Sequence, residues 1–165
     1  MKKLIIKNKQ FKKLVANICK QIANDGWRPD YVVGLTRGGL LPAVMISHYL
    51  DVSMQSLDIS LRDGGECTSN LGMAEDAFKG KNILVVDDIN DQGSTLNWIM
   101  KDWPSGCFPG NELWEQVWGN NVRFAVVVDN MSSQCAVGMS YWGMEVNKAE
   151  NDVWVEFPYE EWWTK

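Results

Sequence analysis

Residues 82–95 read NILVVDDINDQGST, and this stretch decides the fold. Its apolar run is typical of a strand that is buried on both faces in a parallel sheet. Asp87 and Asp88 follow the run, Asp91 comes next, and a Gly-Ser-Thr turn precedes a helix predicted over 94–101. Because open parallel sheets bind ligands at the carboxyl ends of their strands, we expect these polar residues to line a binding site.

The loop after this strand combines two kinds of binding chemistry. Backbone N–H groups at a helix N-terminus, beside small and hydroxyl-bearing residues, form a cradle for a phosphate dianion. The carboxylates of Asp87 and Asp88 suit sugar hydroxyls and Mg²⁺, which prefers oxygen ligands. The acids alone would also fit a strand end entering solvent, a response-regulator acid cluster or a phosphatase. With the Gly-Ser-Thr turn, the loop is interpreted as a phosphate cradle beside a diol clamp.

The flanking sequence alternates strand and helix signals. Apolar residues recur at helical spacing over 8–24, and a second helix is predicted over 40–50, after the strand YVVGL and the loop TRGG. Further strands are predicted over 54–60, over 123–129 and within the C-terminal DVWVEFPYEEWW, while 61–79 is predicted to be a long loop of the kind that forms lids. The pattern predicts an α/β fold whose mostly parallel twisted sheet is flanked by helices.

Composition limits the function classes. The chain has 165 residues, about the length of one domain, so we expect a single domain over 1–165. A net charge of −5 argues against a surface for nucleic acid or anionic membranes. The four cysteines show no C-x-x-C pair, which argues against a zinc or redox motif. No apolar run is long enough to cross a membrane, so a cytoplasmic location is expected.

The nine tryptophans are unusual for a chain of this length. Several of them fall in or near the segment 103–121, where we expect them to pack that segment or an interface.

Three segments resemble the type I phosphoribosyltransferases, and most closely the xanthine-guanine and hypoxanthine (purine) enzymes. VVDDINDQGST over 85–95 resembles their phosphoribosyl pyrophosphate signature, and GLTRGGLLPA over 34–43 resembles their pyrophosphate loop. DVWVEFPYE over 152–160 is similar to the segment that covers the base in the purine enzymes. The resemblance implies a Rossmann-like fold with a small hood, formed mainly by residues near 141–165, over the base site. It also implies a homo-oligomer, either a dimer or a tetramer.

The resemblance further implies roles for individual residues. Asp87 and Asp88 would hold the ribose hydroxyls and Mg²⁺, and Asp91, the catalytic residue, would face N7 of the purine. Arg37 would grip the pyrophosphate after a cis peptide bond from Thr36, with Arg62 reaching it from the lid. The implied substrate-binding residues are Arg37, Gly38, Gly39, Arg62, Asp87, Asp88, Ile89, Asn90, Gln92, Gly93, Ser94, Thr95, Trp154 and Val155, of which Trp154 would stack on the base and the Val155 carbonyl would meet its edge.

The expected activity is Mg²⁺-dependent transfer of ribose 5-phosphate from phosphoribosyl pyrophosphate to a 6-oxopurine (xanthine, guanine or hypoxanthine). Two departures from the family pattern are present, and the first leaves alternatives open. The purine enzymes commonly place a lysine after the strand that ends here in VVVD, but this chain continues Asn-Met-Ser-Ser over 130–133. Gln92 replaces the usual threonine of the signature, and we expect this change to be tolerated because the main contribution of the residue would be its backbone N–H. The alternatives are transfer to another nucleobase and a non-catalytic regulator of the same fold that senses phosphoribosyl pyrophosphate or a nucleotide.

Overall fold

A five-stranded parallel sheet in the order β3-β2-β4-β5-β6 forms the centre of the molecule, and β1 pairs with β7 in a separate two-stranded parallel sheet. The computed structural model describes residues 1–59 and 71–165. Its elements are β1 (Lys2–Ile5), α1 (Asn8–Asp25), β2 (Tyr31–Leu35), α2 (Leu40–Leu50), β3 (Ser53–Leu57), α3 (Leu71–Phe78), β4 (Ile83–Asn90), α4 (Ser94–Gly106), β5 (Val122–Asn130), β6 (Tyr141–Val146) and β7 (Val153–Glu156), with 3-10 turns at Glu112–Gln116 and Trp162–Thr164.

Helices cover both faces of the central sheet. Alternate residues of β4 point to opposite faces, as the period of a strand requires. Leu84 and Val86 pack with α1 and α2, whereas Ile83 and Val85 pack with α3 and α4. All four of these side chains are fully buried. The α/β fold with a parallel sheet flanked by helices, predicted from the apolar runs, is therefore confirmed.

The aromatic residues of 103–121 close one end of the core. Trp118 stacks on Trp114 with ring centroids 5.7 Å apart and on Phe124 at 6.2 Å, and Trp103 lies 5.8 Å from Trp118. The Trp114 indole N–H donates to the Cys107 carbonyl at 2.9 Å. The expectation that the tryptophans pack this segment is thus confirmed.

Two sequence expectations need correction. The loop predicted over 61–79 is wrong from Leu71 onward, because Leu71–Phe78 is a helix that buries Met73, Ala74 and Ala77. Residues 61–70 of the predicted loop, including Arg62, lie outside the described residues. Lys79, at its other end, lies in a turn after the helix. The strand predicted over 54–60 ends at Leu57. β6, which lies in the segment expected to form the hood (near 141–165), pairs with β5 and belongs to the central sheet.

Two further features concern the whole of the described chain. Cys19, Cys107 and Cys135 are free thiols. Within 1–59 and 71–165, no helix combines the length and the apolar character needed to cross a membrane.

Candidate functional site

The neighbouring strands β2 and β4 end at the same edge of the sheet, beside a cavity of about 900 Å³. The loop after β2 contributes Arg37 and Gly38, and β7 contributes Trp154 and Val155. The lining also includes every residue from Asp87 to Thr95. The structure thus brings together nearly all the residues that sequence analysis selected. Gly39 is buried just behind the cavity wall, with its N–H donated to the Leu35 carbonyl at 2.9 Å.

The loop after β2 lies directly against the acids after β4. The peptide bond between Thr36 and Arg37 is cis, as the resemblance implies, and Arg37 is exposed at the cavity mouth. A Cβ atom on Gly38 would overlap the carboxylate of Asp88. Only glycine therefore lets the backbone of this loop approach Asp88 so closely. An anion held by the loop would lie beside the Asp88 carboxylate, an arrangement that suits a bridging cation.

The two acids at the end of β4 are oriented by local hydrogen bonds. The Asp88 N–H donates to Asp87 Oδ1 at 2.9 Å, and the Ile89 N–H donates to Asp88 Oδ1 at 2.8 Å. The Tyr159 hydroxyl donates to Asp88 Oδ2 at 2.8 Å. Both carboxylates are half-buried and line the cavity. They present fixed oxygen atoms to a ligand in the cavity.

The turn from Asp91 to Thr95 starts helix α4. Gly93 has a φ of 87°, a conformation that favours glycine, and a Cβ atom there would also overlap the backbone of Cys135. The first N–H groups of α4 have no partner within the helix, and they carry the positive end of its dipole. Ser94 and Thr95 add hydroxyl groups at the same point. The turn therefore has the features of a phosphate cradle.

Two buried asparagines support this turn from below. The Asn90 amide donates to Asp129 Oδ1 at 2.9 Å and accepts from the Ser133 hydroxyl at 2.8 Å. The Asn130 amide donates to the Asp91 carbonyl at 2.7 Å. Burial raises the pKa of Asp129, although the hydrogen bond from Asn90 opposes that effect. Although Asn90 borders the cavity, its side chain is engaged within the protein.

A smaller cavity of about 660 Å³ adjoins the first, and the two share Asp91, Gln92, Ser94, Lys148 and Trp154. Lys148 Nζ lies 2.9 Å from Asp91 Oδ1 and 5.9 Å from the centroid of the Trp154 ring. Sequence analysis missed Lys148, Tyr159 and Asn130. For Lys148, the one available signal was a lysine in a polar turn shortly before the segment DVWVE.

A family model described as "Phosphoribosyl transferase domain" matches residues 3–161. The chain belongs to the phosphoribosyltransferase family. Its relatives include the xanthine-guanine phosphoribosyltransferase of Cereibacter sphaeroides, which is 28% identical over 142 residues covering 83% of this chain and 71% of that protein.

Two solved structures are similar to this chain in fold. The purine phosphoribosyltransferase of Pyrococcus horikoshii superposes with a TM-score of 0.68, at 23% identity, over 98% of this chain and 96% of that one. A hypothetical protein of Neisseria gonorrhoeae with bound ppGpp superposes with a TM-score of 0.70, at 21% identity, over 97% and 90% of the two chains. At these identities the likeness shows the fold alone.

The donor atoms near Asp88 fit the Mg²⁺ that the family typically requires. Within 1–59 and 71–165, no cluster of three or more His, Cys, Asp or Glu side chains could enclose a metal ion. Mg²⁺ differs from metals that need such a cluster, because proteins usually hold it through one or two carboxylates together with substrate phosphates and water. Asp87 and Asp88 supply two carboxylates on the cavity wall. The residues therefore suit Mg²⁺ that arrives with a phosphorylated substrate.

Proposed function

We propose that this protein transfers ribose 5-phosphate from phosphoribosyl pyrophosphate to a 6-oxopurine, giving a nucleoside monophosphate and pyrophosphate. One observation carries the proposal. A single cavity joins the loop after β2, the acids and turn after β4, and the aromatic wall of β7. The three parts offer, respectively, a cation and backbone for pyrophosphate, a diol clamp with a phosphate cradle, and a flat surface for a base.

The chain's own residues account for binding the sugar donor. Asp87 and Asp88 accept hydrogen bonds from the ribose hydroxyls, while the N–H groups and hydroxyls of residues 92–95 hold the 5′-phosphate. Arg37 and the backbone of Gly38 face the pyrophosphate. Mg²⁺, when bound at Asp87 and Asp88, supplies positive charge to the leaving group. Fixing both ends of the donor places C1 of the ribose between the leaving group and the base, so positioning contributes much of the rate acceleration.

The base side of the cavity completes the reaction. The bond from C1 to pyrophosphate breaks as the bond from C1 to the purine nitrogen forms, and the electron pair of the broken bond leaves with pyrophosphate. Asp91 accepts the proton that the attacking base must lose, from N7 of the ring. Trp154, at the outer wall, stacks on the base, and the Val155 carbonyl accepts from its edge. Arg37 stabilises the charge that develops on the leaving pyrophosphate.

The test is pyrophosphate release with Mg²⁺, phosphoribosyl pyrophosphate and a panel of nucleobases. We expect turnover with at least one of hypoxanthine, guanine and xanthine. Asp91→Asn should lower kcat/KM by about 10²- to 10⁴-fold, the usual contribution of a general base. Asp30→Asn is the matched control, because Asp30 accepts the Asn82 N–H at the opposite edge of the sheet. No release with any base would contradict the enzymatic proposal.

The second candidate is a non-catalytic sensor of phosphoribosyl pyrophosphate or a nucleotide. The observation in its favour is the Neisseria gonorrhoeae protein of similar fold with bound ppGpp. ppGpp joins a guanine base to diphosphate groups, and this cavity offers sites for both. Calorimetry that detects tight binding of ppGpp, in a preparation without turnover on the full panel, would favour this candidate.

The base panel also detects transfer to a different nucleobase, which is the remaining alternative. The homo-oligomer and the cytoplasmic location stay predictions.

A further inference from the structure

The loop after β2 is attached to the end of the neighbouring strand β3. Leu35 and Leu57 pair at the last register position of these parallel strands, and Thr36 and Asp58 follow them side by side. The Thr36 hydroxyl donates to Asp58 Oδ1 at 2.8 Å and accepts the Ile59 N–H at 3.2 Å. The Thr36 N–H donates to the Leu57 carbonyl at 3.0 Å. Three hydrogen bonds thus fix the first residue of the loop.

The end of β3 is a fixed support for these bonds, because its apolar side chains are buried. Leu57 is 2% exposed and Ile59 is 3% exposed, and both belong to the core cluster that contains Leu35. Side chains in a close-packed core cannot shift without a loss of contacts. The Leu57 carbonyl and the Ile59 N–H are therefore held in place by the core. Thr36 transmits that order to the loop.

The other end of the loop is attached as well. The Gly39 N–H donates to the Leu35 carbonyl at 2.9 Å. Arg37 and Gly38 lie between this bond and the three bonds of Thr36. Loss of either attachment would let them move relative to the rest of the cavity that they line.

The Thr36 hydroxyl acts within the protein, although Thr36 lines the large cavity. A hydroxyl group has one proton to donate, and here Asp58 accepts it. Because the acceptor is a carboxylate, this bond belongs to the stronger, charge-assisted class. The hydroxyl has no second proton to offer to an anion in the cavity. Contact between the loop and an anion then falls to Arg37 and the backbone of Gly38.

Asp58 differs from the other acids near the cavity. It is exposed, and among the described residues it is not part of the cavity lining that includes its partner Thr36. A carboxylate near an anion site repels the anion, so electrostatics alone would favour a neutral residue here. The hydrogen bond to Thr36 has the opposite effect, because it holds the loop in one conformation. The sign of the change in anion affinity therefore separates the two effects.

We propose that Asp58 is a positioning residue that sets the affinity for pyrophosphate, because it fixes Thr36 and with it the loop that carries Arg37 and Gly38. A loop that is ordered before binding costs the ligand less to engage. The effect is confined to the pyrophosphate half of the donor, since other elements bind the 5′-phosphate and the base. This inference rests on the proposed function, in which this loop faces pyrophosphate.

Steady-state kinetics test the inference with two pairs of variants. We expect Asp58→Ala and Thr36→Val to raise KM for phosphoribosyl pyrophosphate about 5- to 25-fold, the range for one or two hydrogen bonds, with KM for the base changed much less. Asp58→Asn and Thr36→Ser retain an acceptor and a hydroxyl, so both should stay close to the wild type. Ser47→Ala is the matched control, because the Ser47 hydroxyl donates to the Val52 carbonyl at 2.6 Å at the other end of α2. A lower KM in Asp58→Ala would mean that charge repulsion dominates, and the inference would be wrong.

Calorimetry separates failure of this inference from failure of the proposed function. The probes are inorganic pyrophosphate with Mg²⁺ and inosine monophosphate, which carries a base and a 5′-phosphate but no pyrophosphate. We expect Thr36→Val to bind pyrophosphate about 5- to 25-fold more weakly than the wild type, and inosine monophosphate within about twofold of it.

Equal weakening of both ligands, or an unchanged affinity for pyrophosphate, would overturn the inference. If pyrophosphate binding follows the expected pattern but no base is turned over, only the proposed function fails. A wild type that does not bind pyrophosphate would contradict both. Thermal unfolding of each variant checks that the affinities are measured on folded protein.

Discussion

Tyr159 links the aromatic C-terminal segment to Asp88, one of the two acids at the end of β4. Its hydroxyl donates to Asp88 Oδ2 at 2.8 Å and lies 3.3 Å from the Gly38 carbonyl. Burial raises the pKa of Tyr159 far above its usual range, and the negative charge of Asp88 raises it further. The hydroxyl therefore stays a proton donor at any physiological pH. The Tyr159 hydroxyl orients Asp88 Oδ2, while the Ile89 N–H orients Asp88 Oδ1. We therefore assign Tyr159 a positioning role.

Tyr159→Phe should loosen the Asp88 carboxylate. We expect KM for phosphoribosyl pyrophosphate to rise about 5- to 10-fold, which corresponds to one hydrogen bond, with kcat and KM for the base changed much less. Tyr31→Phe is a close control, because the Tyr31 hydroxyl makes the same 2.8 Å bond to a carboxylate, that of Asp76, at the start of β2. Tighter binding of phosphoribosyl pyrophosphate in Tyr159→Phe would instead mean that the hydroxyl competes with the ribose for Asp88.

At the residue scale, sequence reasoning succeeds where a residue's position follows from strand direction. Asp87, Asp88 and Arg37 could be placed in one site because parallel strands end at the same edge of the sheet. The contact of Lys148 with Asp91 and that of Tyr159 with Asp88 could not, because both depend on how the chain folds back after β6. That path is set by tertiary packing, and no local pattern specifies these two contacts. The resemblance implies a lysine after β5, whereas Lys148, which lines the cavity, lies in the connection between β6 and β7.

At the element scale, β1 and β7 form a small sheet that carries Trp154 and Val155 to the site. The Glu156 carboxylate of β7 is 3.1 Å from the Lys3 ammonium of β1 and 3.4 Å from that of Lys165. The hydrogen bond from Lys3 lowers the pKa of Glu156, and the charges of Lys3 and Lys165 add to the shift. These contacts join Lys3 and Lys165 to the strand that carries Trp154 and Val155 to the cavity.

The lowered pKa of Glu156 predicts how stability depends on pH. A carboxyl group whose pKa is lower in the folded state stabilises it above the unfolded value, about pH 4.3, and loses that effect as the pH falls through the folded value. We expect Glu156→Gln to lower Tm at pH 7, with the gap from the wild type narrowing as the pH falls from about 5 to 3. Glu150→Gln, at an exposed turn position, should have nearly the Tm of the wild type across the same pH range. A gap that is constant with pH would contradict this role for the ion pair.

Elements with a clear apolar pattern were predicted from the sequence, whereas β1 and β6 were not. The helix α1 and the strands β2, β4 and β5 have clear apolar patterns, and each was found within a few residues of its predicted bounds. β1 has four residues, mostly exposed, and becomes a strand only by pairing with β7. β6 reads YWGMEV, which has no apolar run, and it is defined by pairing with β5. In neither case does the sequence of the strand itself show the pairing that defines it.

At the scale of the whole molecule, the proposed function requires an acidic protein to bind a highly anionic donor. The net charge of −5 gives no general attraction for phosphates. The positive groups are instead local, because Arg37, Lys148 and the N-terminus of α4 border the same cavity as the Asp87–Asp88 pair. The acid pair would repel phosphates unless a cation accompanies them. Binding of phosphoribosyl pyrophosphate should therefore depend strongly on Mg²⁺.

This dependence should be visible in the stability of the whole fold. A ligand at about 100 times its dissociation constant stabilises the folded state by about 2.7 kcal/mol. For a chain of this size that corresponds to a rise in Tm of roughly 5–11 °C. We expect this rise with phosphoribosyl pyrophosphate plus Mg²⁺, and little of it when EDTA replaces Mg²⁺ or in Asp88→Asn. Mg²⁺ alone should shift Tm only slightly, because two carboxylates hold it weakly without substrate phosphates. An equal rise with EDTA would mean that the donor binds without the cation, and the pairing of Asp87 and Asp88 with Mg²⁺ would then be wrong.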